Sequence, residues 1–106
     1  NPMSLRQSVA GVLRRASSFM TDETARQLVY RTGAVDAGAK GWAARIVEMG
    51  DGRPVAQIVA TIYFDELRAG AWAADIGVWS QPFAMSVIEV IDRLAAQGLI
   101  RIEPEQ

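Results

Sequence analysis

Apolar residues recur at helical spacing through residues 4–20, the first segment of the chain. Ser4 suits the N-cap of a helix, and Gln7 three residues later completes a capping-box pattern. The apolar side of this helix would consist of Leu5, Val9, Val12, Leu13, Ala16 and Met20. The pattern predicts one amphipathic helix whose apolar side faces the core or a second chain.

A second helix is predicted directly after the first. Thr21 is a suitable N-cap, and Asp22 and Glu23 are favourably placed in the first turn. Gly33 suits the C-terminal end of this helix. Because the joint between the two helices is so short, we expect residues 3–33 to form a helical pair, as a hairpin or a sharp corner.

The middle of the chain admits two interpretations. Residues 42–49 have the spacing of a helix face, and residues 54–68 repeat it with apolar positions at i, i+3, i+4 and i+7. The alternative is a β-hairpin within residues 44–64, because Ala44–Met49 and Val55–Phe64 are rich in β-branched and aromatic residues around a Gly-Asp-Gly turn. Periodicity favours the helix for residues 54–68, and both interpretations stay open at this point.

The last third of the chain has the clearest pattern. Gln81-Pro82 begins a predicted helix through residue 97, with an apolar side that runs from Phe83 to Leu94. Gly98 is expected to end this helix, and Leu99 to supply the hydrophobic contact that often follows. Residues 100–103 then alternate apolar and polar side chains, which predicts a short strand.

Residues 71–103 resemble a winged-helix module. The similarity consists of Ala71-Trp72-Ala73-Ala74-Asp75-Ile76-Gly77-Val78, the helix at 81–97, and Gly98-Leu99-Ile100 leading into a strand. Ser86 departs from it, because the family places a buried apolar residue there and this chain has Val87 one position later. The resemblance implies a winged-helix-like fold and a role in DNA binding.

Together these patterns predict a single domain over residues 1–106, mostly α, with five or six helices and a small C-terminal β element, winged-helix-like. The open alternative is an α+β domain with the hairpin around residues 44–64. Asn1 and Pro2 precede Met3, and we interpret them as left over from cloning. The strongly apolar N-terminal helices lead us to expect a homo-oligomer, in the simplest case a dimer.

The composition excludes the commonest catalytic and metal-binding groups. The chain contains no cysteine and no histidine, so it has no thiolate nucleophile, no imidazole base and no Cys- or His-type zinc site. Asp65-Glu66 and Asp75 have no accompanying phosphate loop or partner motif. We therefore expect no enzyme activity, no cofactor and no metal. Charges interrupt the longest apolar runs and no signal-peptide pattern is visible, so we expect a cytoplasmic protein without a membrane partner.

Charge divides the chain into two unequal halves. Residues 1–53 carry a net charge of +3, and residues 54–106 carry −4. The candidate contacts to a nucleic acid or a protein partner are Arg14, Arg15, Gln81, Ser86, Arg93 and Arg101. The first hypothesis is a small DNA-binding, transcription-regulator-like protein in which these arginines meet phosphates. The second is a protein–protein adaptor that uses the same scaffold without nucleic acid.

Overall fold

A computed structural model describes residues 19–36, 38–39, 41–69 and 81–105. The described elements are, in chain order, α1 (Asp22–Arg26), β1 (Leu28–Arg31), α2 (Trp42–Glu48), β2 (Asp51–Pro54), α3 (Val55–Arg68), α4 (Gln81–Ala96) and β3 (Ile100–Glu103). The predictions for residues 4–18 and 71–80, including the first helix and turn of the winged-helix resemblance, lie outside the described residues. Phe19 and Met20 lie in the turn before α1.

The predicted second helix begins as expected and ends early. Thr21 is its N-cap, and the side-chain oxygen of Thr21 accepts a hydrogen bond from the backbone N–H of Thr24 at 3.1 Å. The helix ends at Arg26, and Leu28–Arg31 form a strand instead of a further helical turn. The prediction of a helical pair over residues 3–33 is therefore wrong for its second half. This short apolar segment becomes a strand because partner strands pair with both of its sides.

The three strands form one antiparallel sheet in the order β2-β1-β3. Val29 lies opposite Arg53 on one side and Ile102 on the other, and Tyr30 lies opposite Asp51 and Arg101. Between these two positions β2 contains one extra residue, Gly52, which forms a β-bulge with a backbone φ of +94°.

Gly50 permits the close approach of β1 to the start of β2. Its carbonyl accepts a hydrogen bond from the backbone N–H of Arg31 at 2.8 Å. A Cβ atom at Gly50 would lie 2.5 Å from the backbone nitrogen of Arg31, closer than real Cβ contacts. The strand pairing therefore depends on the absence of a side chain at this residue.

The helices cover one face of the sheet and enclose the core. α3 is the central element and packs against α1, α2, α4 and β2, while α4 packs against α2, α3 and β3. The buried side chains of α3 lie on most of its circumference: Val55, Ala56, Ile58, Val59, Ala60, Ile62 and Tyr63. From the sheet, Val29 and Ile100 complete this core. The helix predicted for residues 54–68 is thus confirmed, and the alternative hairpin over residues 44–64 is wrong.

The predicted end of α4 is confirmed in detail. Gly98 has a backbone φ of +78°, and its N–H donates to the carbonyl of Ala95 at 3.1 Å. The N–H of Leu99 donates to the carbonyl of Leu94 at 3.0 Å, which completes a Schellman motif. Leu99 also packs against the core. β3 begins at Ile100, directly after this turn.

The described residues form an α+β domain with four helices and a three-stranded antiparallel sheet. The predicted class, mostly α with five or six helices, is wrong. The error arises because β1 and β2 are four-residue strands whose pairing is set by contacts distant in sequence. The strand predicted for residues 100–103 is confirmed as β3, which is an outer strand of this sheet and pairs with β1.

Candidate functional site

The outward side of α4 presents a surface that we name the α4 strip. It consists of Met85, Ser86, Glu89, Asp92 and Arg93, which are all exposed. Its spacing follows from the helical period, because Ala84, Val87, Ile91 and Leu94 occupy the opposite, buried side. Met85 is 49% exposed and is the only large hydrophobic side chain with such exposure in the described residues. The strip therefore combines an apolar side chain with charged ones.

The cation of the α4 strip already has a carboxylate partner. A terminal nitrogen of Arg93 lies 3.7 Å from Oε1 of Glu89, one helical turn earlier. Asp92 adds a second carboxylate, so the strip is acidic overall. The hydroxyl of Ser86 donates to the backbone carbonyl of Pro82 at 2.9 Å. Arg93 therefore has a carboxylate beside it and the Ser86 hydroxyl has a backbone acceptor, so the strip does not form a cluster of unpaired donors for phosphate oxygens.

Arg101 lies on a different surface from the α4 strip, on the open face of the sheet. Its guanidinium carbon lies 5.1 Å from the ring centroid of Tyr30, its cross-strand neighbour. A terminal nitrogen of Arg101 also lies 3.0 Å from Oε2 of Glu103. The guanidinium of Arg101 therefore already has two partners on its own chain, the Tyr30 ring and the Glu103 carboxylate.

The structure brings together only part of the predicted contact set. Ser86 and Arg93 share the α4 strip, and Arg101 is on β3. Gln81 is the first residue of α4, but its side chain is not among the described ones. Arg14 and Arg15 lie outside the described residues. No continuous basic surface therefore emerges from the candidates that the structure describes.

Most arginines in the described part of the chain lie beside a carboxylate, as Arg93 and Arg101 do. Six of its seven arginines lie within 4.0 Å of a carboxylate oxygen: Arg26, Arg45, Arg53, Arg68, Arg93 and Arg101. The seventh, Arg31, donates from Nε to the backbone carbonyl of Gly33 at 2.9 Å. The described residues contain seven arginines and eleven carboxylates, so this part of the molecule is acidic.

Sequence reasoning missed a polar connection between α2 and α3. Nε of Arg45 donates to Oδ2 of Asp65 at 2.8 Å, and Arg68 donates to Oδ1 of the same carboxylate at 2.6 Å. The indole N–H of Trp42 donates to Oε1 of Glu66 at 2.7 Å. The adjacent carboxylates Asp65 and Glu66 thus hold two helices together.

The arginines alter the acidity of Asp65. Burial acts to raise the pKa of this carboxyl, but the hydrogen bonds from Arg45 and Arg68 and their positive charges outweigh burial and leave the pKa below its ordinary value. The same contact raises the pKa of Arg45, against the opposing effect of burial. Asp65 is therefore held in its ionised form.

An aromatic cluster lies beside this connection. The rings of Trp42 and Phe83 meet edge to face with centroids 5.4 Å apart, and Tyr63 meets Phe83 in the same manner at 5.8 Å. The cluster joins α2, α3 and the start of α4. These ring contacts hold the start of α4 against α2 and α3.

Comparison with family models, with curated proteins and with solved structures finds no match to this chain. Within the described residues, no three carboxylates are grouped so that they could hold a metal ion. No helix in the same part of the chain is long and apolar enough to cross a membrane. The function is therefore inferred from the surface itself.

Proposed function

We propose that this protein acts by binding another protein through the α4 strip, without nucleic acid and without catalysis. The observation that carries the proposal is that Met85, half exposed, lies on a strip whose cation, Arg93, is already paired with Glu89. Methionine is enriched at protein interfaces because its flexible thioether adapts to irregular apolar surfaces. An exposed methionine among carboxylates fits a protein partner better than a phosphate backbone.

Electrostatics argue against DNA at this surface. Non-specific affinity for a duplex comes mainly from arginine and lysine contacts that displace counterions from phosphates. Here Arg93 and Arg101 would each have to exchange a carboxylate on their own chain for a phosphate. Glu89 and Asp92 on the exposed side of α4 would at the same time repel the duplex.

The chemistry of the strip indicates what kind of partner would fit it. Met85 requires an apolar depression, and Glu89 with Asp92 one and two turns further along α4 favour lysine or arginine side chains around it. Such a surface would meet a groove or helix with an apolar centre and a basic border. The charges of Glu89 and Asp92 around Met85 would act mainly on the association rate and on its salt dependence.

The proposal is tested by capture from the native proteome with matched variants. Wild-type protein, Met85→Ala and Glu89→Lys are immobilised in parallel, together with Gln57→Ala as an exposed helical control on α3. We expect one protein to be retained by the wild type and the control, and to be lost or reduced with both strip variants. A partner retained equally by all four, or by none, would contradict the assignment of this surface.

A duplex titration tests the rival function directly. Fluorescence anisotropy with a mixed-sequence duplex at low salt is expected to show no binding at protein concentrations up to about 100 μM, the weak end of non-specific DNA binding. Binding below that concentration, with an affinity that falls steeply as salt rises, would overturn the proposal in favour of the DNA-binding hypothesis.

A further inference from the structure

β3 is an outer strand of the sheet, and one of its edges is directed away from β1. In the order β2-β1-β3, no strand of the described residues pairs with this outer edge. The four residues of β3 are Ile100, Arg101, Ile102 and Glu103. Ile102 is half buried, while the side chains of Arg101 and Glu103 are 57% and 42% exposed. An edge strand of this kind is a template for pairing with another strand.

The ladder geometry shows which main-chain groups are directed outward. The backbone N–H of Thr32 donates to the carbonyl of Leu99 at 3.0 Å, just beyond the ends of β1 and β3. In an antiparallel ladder, hydrogen-bonded and non-bonded pairs alternate, so Tyr30 with Arg101 is the next bonded pair. Val29 with Ile102 is then a non-bonded pair. The N–H and C=O of Ile102 are therefore directed toward the outer edge.

We infer that a second copy of this chain pairs with that edge through its own β3, around a two-fold axis at Ile102. The two Ile102 residues would then exchange two backbone hydrogen bonds, N–H of each to C=O of the other. The axis stands perpendicular to the sheet, so both helical layers lie on the same side. The two three-stranded sheets become one continuous six-stranded sheet.

The charges of β3 are complementary to themselves in this register. Centring the antiparallel pair on Ile102 places Arg101 of one copy opposite Glu103 of the other, and the reverse contact occurs by symmetry. All four side chains lie on the open face of the sheet, because Arg101 shares the face of Tyr30 and Glu103 the face of Leu28. Each arginine then has a glutamate beside it on its own strand and another across the new pair.

The edge also limits the strength of the contact. β3 is four residues long, and Pro104, which has no N–H, follows it directly. Ile100 is 3% exposed, so the accessible part of the edge is centred on Ile102. We therefore expect a reversible dimer with a dissociation constant in the range of roughly 1 μM to 1 mM.

A charge-exchange experiment by analytical ultracentrifugation at low salt tests this pairing. Arg101→Glu places two glutamates opposite each other at both contacts, and Glu103→Arg places two arginines there. We expect each variant alone to self-associate about tenfold more weakly than the wild type, or not at all, because like charges directly opposite are destabilising. An equimolar mixture of the two variants restores complementarity and should form a heterodimer. The double variant Arg101→Glu with Glu103→Arg should recover self-association.

The amide signal of Ile102 provides an independent readout. Its chemical shift is expected to change with protein concentration in NMR spectra of the wild type, while the amide of Arg101, bonded to β1, changes less. Circular dichroism confirms that each variant is folded. A wild-type protein that stays monomeric up to about 1 mM would overturn the inference. So would a dimer that both single variants leave unchanged, and so would a mixture that fails to associate.

Discussion

Nε of Arg45 donates a hydrogen bond to Oδ2 of Asp65 at 2.8 Å, and this contact joins α2 to α3. One residue further along α3, Glu66 accepts the indole N–H of Trp42 from the same helix as Arg45. The two consecutive carboxylates therefore tie α2 to the central helix at two points. These contacts hold α2 and α3 together, and the start of α4 packs against both helices.

The pKa of Asp65 makes part of the stability dependent on pH. Because its folded-state pKa lies below the ordinary value near 3.8, ionised Asp65 stabilises the fold above that value. This contribution is lost as the pH falls through the lower, folded-state pKa. We expect Asp65→Asn to lower the free energy of unfolding at pH 7 by about 1 kcal/mol, as for the loss of a typical hydrogen-bonded contact. Urea titrations between pH 7 and pH 2.5 measure both effects.

The dependence of the free energy of unfolding on pH below about pH 4 provides the decisive comparison. Wild-type protein should lose stability more steeply below about pH 4 than Asp65→Asn, since the amide cannot titrate. Arg68→Ala is the milder control, because Arg68 is 72% exposed and Arg45 still donates to the carboxylate. Parallel profiles for the wild type and Asp65→Asn would show that Asp65 does not contribute in this way.

A second prediction concerns Gly50. Its substitution by alanine would place Cβ at 2.5 Å from the backbone nitrogen of Arg31, so the backbone of β1 or of Gly50 would have to shift. We expect a loss of about 1–3 kcal/mol in the free energy of unfolding, the usual cost of overpacking. Gly98→Ala is a useful comparison, because a Cβ there meets no atom within 4 Å and only the left-handed backbone is strained. That change should cost about 1–2 kcal/mol. Thermal denaturation of both variants measures the two costs, and an unchanged Gly50→Ala protein would contradict the close approach.

The two long helices were predictable because their information is local. The apolar period over residues 54–68, and Pro82 and Gly98 at the two ends of α4, are sufficient to locate α3 and α4. The pairing of Arg93 with Glu89 can also be predicted from the sequence, since the two residues are four apart on a helix.

β1 could not be recognised in the same way. Leu28–Arg31 are only four residues long and directly follow a helix capped by Thr21, so the local pattern favours a continued helix over a strand. Their strand conformation depends on β2 and on β3, and β3 lies about 70 residues away in the chain. The ion pair of Arg45 with Asp65 is similarly non-local, because 20 residues separate them. For β1 and for Arg45, the sequence alone therefore does not identify the partners.

A third prediction separates the two sides of α4. Ile91 is 1% exposed and belongs to the core, so Ile91→Ala should lower the free energy of unfolding by about 2–5 kcal/mol through the lost contacts and the remaining cavity. Met85 is 49% exposed on the opposite side, and Met85→Ala should change stability by no more than about 0.5 kcal/mol. Chemical denaturation followed by tryptophan fluorescence measures both variants under the same conditions.

This comparison also decides how any loss of partner binding by Met85→Ala is interpreted. If the variant unfolds at the same denaturant concentration as the wild type, lost binding can be assigned to the missing thioether side chain, because the scaffold that presents it is unchanged. A destabilisation comparable to that of Ile91→Ala would mean that the side chain is covered within the folded protein. The α4 strip would then be part of an internal contact, and its assignment as a docking surface would be wrong.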